Sequence, residues 1–262
     1  MSDTTFAEAS APPVLNHVGF GDLGAALRAG ISDFRRAPLY GLAFAAVFVL
    51  GGILIWVELA IEGREFWVIP MALGFPILAP FLAVGMYEVS RRLEAGEALD
   101  WRSILGVVFG QRHRQCPSMA MVLIMFFMFW VFVAHLIFAL FMGLQPMTNV
   151  IGNWQDTLLT QNGLTMLAVG TLVGGAMAFM LFSLTAISIP MLLDREMDFI
   201  TAMINSFQFV TGNLVVMLAW GALIAVSLLV GMLPFFLGLF IVLPILGHAT
   251  WHLYRRAVSF ED

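Results

Sequence analysis

His248 and His252 are the residues of this sequence whose type and spacing most readily suggest chemistry. They stand four apart in LPILGHATWHLYRR, so on a helix both rings share one face. A second segment, PFLAVGMYEVSRRLEAGEALDW, keeps the same spacing of proline, leucine, aromatic and paired arginines, and it places Glu88 where the first has His252. Two imidazoles and a carboxylate at one depth could ligate a metal or relay protons. Alternatively they hydrogen-bond to backbone, to water, or to Arg92 and Arg255, because two ring nitrogens at this spacing lack the further ligands a metal demands. His135 lies in the outer half of another apolar stretch, not level with His248, so a haem held between the two is disfavoured. It reads instead as a donor to a neighbouring helix. Cys116 is the one cysteine; beside Pro117 it reads as a small interfacial residue and allows neither an internal disulfide nor a Cys-x-x-Cys clip. No nucleophile elbow, Walker loop, His-Glu-x-x-His or dinucleotide fingerprint occurs. The expectation is a protein without catalytic activity of its own and without a cofactor.

The elements that carry these residues are apolar blocks. The chain of 262 residues is 61% hydrophobic and 11% charged, where soluble domains are about half apolar and about a quarter charged. Its net charge is −5, all twelve cations are arginine, and no basic stripe interleaved with aromatics offers a surface to nucleic acid. Residues 1–21 lack a basic segment followed by an apolar core, so they read as a polar tail rather than a cleavable signal.

From residue 22 to 262 the pattern predicts one all-α, polytopic membrane domain with six transmembrane helices and three interfacial amphipathic helices. The first interfacial helix covers 22–36, with Leu23, Ala26, Leu27, Gly30, Ile31 and Phe34 at helical spacing. Span one covers 38–59, long enough at about 33 Å to cross the hydrocarbon. Span two covers 66–89 and holds Pro70, Pro76 and Pro80, which predict a kink or local unwinding. A basic loop, 90–117, contains the second amphipathic helix around Trp101. Span three covers 118–141, and its Met and Phe side chains could face lipid or line a pocket for a lipid tail or quinone. A polar excursion follows over 142–162. Span four covers 164–189 and carries Gly170 and Gly174 at the GxxxG spacing for close helix packing. Pro190 ends it, and Asp194 to Asp198 return the chain to water. The third amphipathic stretch starts at Asp198, and spans five and six cover 214–233 and 234–254.

With six spans both termini share a side, and that side receives eleven of the twelve arginines, Arg64 alone falling opposite. The positive-inside rule makes it the cytoplasm. Arg91, Arg92, Arg255 and Arg256, with Tyr87 and Trp251, read as anchors at the membrane interface. Three units of amphipathic stretch, span out and span back begin at Asp22, Asp100 and Asp198. With approximate limits 22–99, 100–197 and 198–256, they are either a threefold parallel repeat or the general likeness of one hairpin to another.

The strings DFRRAPLYGLAF, PILAPFLAVGMYEVSRRLEAGEALDW, SLTAISIPMLLDREMDFITAMINS and LPILGHATWHLYRR carry a resemblance over nearly the whole chain beyond the tail. It resembles a family of predicted proteobacterial integral-membrane proteins of unknown function, some of whose members are catalogued as cytochrome c oxidase subunit I. The resemblance implies the membrane class. It does not carry the redox chemistry across. A haem-copper catalytic subunit needs roughly twice as many spans, and more histidines than the five here, of which His17 and His113 fall in soluble segments. The leading expectation is a non-catalytic accessory, scaffold or lipid-binding subunit of the bacterial inner membrane. Its partners would be membrane lipids, other membrane proteins or a respiratory complex. A small-solute transporter or channel lined by span two and Glu88 is the alternative, and a haem or metal protein using His248, His252 and His135 the distant one.

Overall fold

The computed structural model describes residues 13–60, 65–143 and 159–260, with side chains over those ranges except 59–60 and 65–77. The loop bearing Glu62 and Arg64, and most of the 142–162 excursion, lie outside the described residues. A short strand β1 (Pro13–Leu15) precedes α1 (Phe20–Arg36), α2 (Pro38–Ala60), α3 (Glu65–Ala95) and α4 (Trp101–Gly110). Then come α5 (Cys116–Met142), α6 (Gln161–Thr185), α7 (Ser188–Asp194), α8 (Phe199–Gly212), α9 (Leu214–Met232), α10 (Leu239–Ala257) and strand β2 (Val258–Phe260).

Local chemistry explains the boundaries. At the start of α1 the Asp22 carboxylate accepts the Gly19 N–H at 2.9 Å. Arg35 and Arg36 in its last turn suit the negative end of the helix dipole. Ala37 precedes Pro38, a position that disfavours helix, and Pro38 opens α2 where a missing N–H costs nothing. Asp100 and Asp198 stand one residue before α4 and α8 and cap them, accepting the backbone N–H of Ser103 at 3.0 Å and of Thr201 at 2.9 Å. α3 ends at Gly96, whose φ of 69° lies in the left-handed region, and Glu97 N–H closes the turn on the Arg92 carbonyl at 2.8 Å.

Four stretches among the described residues are long and apolar enough to cross a membrane: Pro38–Glu58, Cys116–Met142, Gln161–Asp194 and Leu214–Met232. The protein is therefore membrane-embedded. α10 is not one of the four because its second half carries His248, Thr250, His252, Arg255 and Arg256. α3, the expected span two, runs as one helix through its prolines and is not unwound.

The chain divides into two compact units, one made of residues 122–182 and the other of the residues before and after it. In the larger unit α1 lies along α10, α2 packs on α3 and α10, and α4 packs on α3. Two expectations change here. α1 is not simply a helix resting on a membrane surface: Ala26, Gly30 and Asp33 are buried, because small residues let its backbone reach that of α10. Nor does span four end at Pro190: the long helix stops at Thr185 and Pro190 lies inside the next one. The six residues Ser188 to Leu193 are all buried, in a short helix held by α3, α8 and α10. The break before it is satisfied by Ser206, whose hydroxyl donates to the Ser183 carbonyl at 2.8 Å and accepts the Ile187 N–H at 3.2 Å.

Residues 13–21, expected to belong to a polar tail, are structured. β1 pairs antiparallel with β2, Val14 opposite Ser259. The Val18 N–H reaches the Asn213 side-chain oxygen at 3.0 Å. Residues 13–15 thus lie beside residues 258–260.

In the smaller unit α5 and α6 border a groove of about 340 Å³, lined in part by Trp130, Ala134, Phe138, Gly170, Gly174 and Met177.

Candidate polar site at the ends of α3 and α10

The matching segments noted in the sequence meet face to face. Tyr87 of α3 and Trp251 of α10 stack with ring centroids 6.5 Å apart, and Tyr254 tilts against Trp251 at 5.6 Å. Tyr87 is 6% exposed and Trp251 1%. These aromatics are core residues, not membrane-interface anchors: each ring packs on an equivalent position of the opposite helix, and lipid does not reach it.

The paired arginines each reach a carboxylate, Arg91 and Arg92 at a buried one and Arg255 and Arg256 at the exposed surface. Glu88 is buried and accepts the Arg91 Nε at 2.7 Å, its Nη2 at 2.9 Å and the Arg92 Nε at 2.6 Å. Its hydrogen bonds push the Arg91 guanidinium further up, so that side chain stays charged. Arg255 lies between Glu94, at 3.5 Å, and Asp194, at 3.7 Å, while Arg256 reaches Asp22 at 3.6 Å. The same carboxylates hold the aromatics. Trp251 Nε1 donates to Glu94 at 3.1 Å, and the Tyr254 hydroxyl donates to Asp194 at 2.7 Å. These guanidiniums, expected as anchors at the membrane interface, link α3, α7 and α10 to one another and to α1, because each has a carboxylate within reach.

The histidines go separate ways. His248 is fully buried and shares a hydrogen bond between Nδ1 and the Ser90 hydroxyl at 2.8 Å; its Nε2 has no partner among the described residues. His252 Nε2 hydrogen-bonds the buried Asp33 carboxylate of α1 at 2.7 Å. Glu88 is taken by its two arginines, so the expected trio of His248, His252 and Glu88 does not converge. No group of three His, Cys, Asp or Glu side chains arranged to hold a metal occurs among the described residues.

The remaining candidates are placed as follows. His135 is exposed and bonds the Val131 carbonyl of its own helix at 2.8 Å, rather than reaching a neighbouring helix. Cys116 is buried, its Sγ 3.7 Å from the Gln111 side-chain oxygen. Among the described residues Gly170 and Gly174 do not bring two backbones together. A Cβ on Gly170 would meet nothing within 4 Å, and one on Gly174 only the Trp130 ring at 3.8 Å. Close approach occurs elsewhere, at Gly30 of α1. Asp33, Ser90 and Glu94 join this site without having been singled out in the sequence, as does Asp194, read there only as part of the return to water. Of the first three, only Asp33 left a trace there, as the polar member of a stripe with Ala26, Gly30 and Ala37.

Residues 68–194 match a family model described as predicted integral membrane protein (DUF2189). The chain is thus similar, over that stretch, to an integral-membrane family of unknown function. No curated protein matches it, and neither does any solved structure.

Proposed function

We propose that this chain is a non-catalytic accessory subunit of the bacterial inner membrane, a scaffold that packs against other membrane proteins. The observation that carries the reading is one face of α5. Met121, Met125, Phe129, Phe132, Leu136 and Leu140 recur every three or four residues and are all exposed. Methionine and phenylalanine adapt to irregular apolar surfaces, which suits a helix that must seat on a partner. The transporter alternative is less favoured, since Glu88 is neutralised by two arginines and unavailable to a solute path.

Six crossings in three hairpin units, with both termini cytoplasmic, complete the proposal. At 31 residues α3 is about 46 Å long, more than the hydrocarbon core requires. α9 and α10 form a hairpin of out and back. The pairing of β1 with β2, which sets residues 13–15 beside 258–260, supports an even number. The matching caps at Asp100 and Asp198 support a repeat, although Asp22 sits within its helix rather than capping it. The excess of arginine on one side supports cytoplasmic termini.

The test is photo-crosslinking from Phe132 in native membranes, followed by isolation in mild detergent and mass spectrometry. A single membrane protein captured in stoichiometric amount, and lost with Met125→Gln/Phe129→Gln, is expected. Lipid adducts alone would overturn the scaffold role.

A further inference from the structure

Eight of the twelve arginines fall into two groups that the sequence does not distinguish. Arg91, Arg92, Arg114, Arg255 and Arg256 each reach a carboxylate. Arg35, Arg36 and Arg102 are exposed and make no ion pair among the described residues. Arg35 and Arg36 close α1, and Arg102 sits in the first turn of α4. The Tyr40 and Trp101 rings lie 4.2 Å apart, with Phe44 at 6.3 Å from the same indole. Tyr40 follows Arg36 by four residues and Trp101 immediately precedes Arg102, so the contact between the two rings sets the junction of α1 and α2 beside the start of α4, the two places that carry these three arginines.

Two further features of this junction narrow what it could bind. First, nearby carboxylates are already committed: Asp33 to His252 at 2.7 Å, and Asp100 to the Ser103 N–H at 3.0 Å. Neither carboxylate forms an ion pair with these three arginines among the described residues. Second, apolar surface adjoins them. Leu39 is 70% exposed and Trp101 40% exposed, and the apolar stretch Pro38–Glu58 starts at this level. Cations beside a half-exposed indole, at the end of a membrane-crossing stretch, match the layer where lipid phosphates meet acyl chains. A soluble anion would explain the arginines but not the exposed leucine and indole.

We propose that Arg35, Arg36 and Arg102 bind the phosphate of an anionic phospholipid whose acyl chains lie along Leu39 and Trp101. The site rests on membrane embedding alone and not on the scaffold role.

The test uses the full chain, delipidated in neutral detergent, with retained lipids counted by native mass spectrometry. Wild type should retain phosphatidylglycerol about a hundredfold over phosphatidylcholine, each guanidinium near an anionic surface contributing roughly fivefold. In Arg35→Gln/Arg36→Gln/Arg102→Gln the preference should fall to within about fivefold, while Arg28→Gln/Arg112→Gln keeps it. These side chains are exposed, so helical content by circular dichroism should be unchanged; the single reversal Arg102→Glu gives an independent reading and should cut the preference at least about fivefold. Equal retention of the two lipids by wild type would overturn the proposal, as would an unchanged preference in the triple variant or in Arg102→Glu. Complete displacement of phosphatidylglycerol by inorganic phosphate would assign the arginines to a free anion and overturn the lipid site.

Discussion

Gly30 of α1 lies directly against the backbone of Ala249 in α10. A Cβ placed on Gly30 would come within 2.6 Å of the Ala249 nitrogen and 2.7 Å of the Ile245 carbonyl oxygen. Neither atom belongs to a flexible side chain, so the helices would have to separate. Gly30→Ala is expected to destabilise the protein by about 2 kcal/mol, as overpacking does. Gly170→Ala, with open space around it, should change stability by less than about 1 kcal/mol. Thermal unfolding of both variants in one detergent measures the contrast. Equal effects would remove the close approach of α1 and α10 as a principal contact.

The Asp33–His252 pair lies on the same contact. Asp33 is 5% exposed, and its 2.7 Å bond to His252 joins α1 to α10 by side chains where Gly30 joins them by backbone. Asp33→Ala should cost about 2 kcal/mol, the range for a hydrogen bond to a charged group, and should speed amide exchange in α1 more than in α4. Asp33→Asn, which keeps an acceptor, should lie in between. Uniform exchange in all three proteins would mean that this bond does not hold the helix.

Glu88 faces two guanidiniums at the buried end of α3. Removing its charge leaves both cations without their closest carboxylate, so Glu88→Gln is expected to cost about 3 kcal/mol. Arg91→Gln should cost less, since Arg92 remains and Arg91 is one-third exposed. Denaturation midpoints by tryptophan fluorescence would order the two, and the reverse order would refute this account.

The cap carboxylates introduce an acid limb into stability. Hydrogen bonds from the Ser103 and Thr201 side chains, and then from their backbone N–H groups, hold Asp100 and Asp198 below the usual aspartate range. A depressed folded-state value means that each cap contributes fully above the unfolded aspartate value and loses its contribution as pH falls through the folded one. Asp198→Ala should cost up to about 1 kcal/mol near neutrality and flatten the acid loss of stability. Unfolding measured across that range checks it; an unchanged acid limb would mean that other groups dominate.

Pairing of β1 with β2 predicts that labels at Val14 and Ser259 report the same side of the membrane. If six spans cross, cysteines at Gly96 and Glu196 should join them, while Gly143 and Leu233 should label from the opposite face. Labels at Val14 and Ser259 on opposite faces would contradict the strand pairing itself.

Membrane class, the starts of the capped helices and the kinship of the α3 and α10 segments could all be read from residue order. They depend on local hydropathy, on an aspartate three residues before a free N–H, and on repeated spacing. The fate of the polar residues could not be read this way. Arg91 and Arg102 look alike in sequence, yet one meets a carboxylate and the other does not. Tyr87 and Trp251 have the composition of interface anchors, but they stack on each other because α3 and α10 pack together. Likewise Gly170 and Gly174 have the spacing for close packing, while Gly30 has the neighbour. Burial and charge pairing depend on which distant segment arrives opposite, and only the tertiary structure decides that.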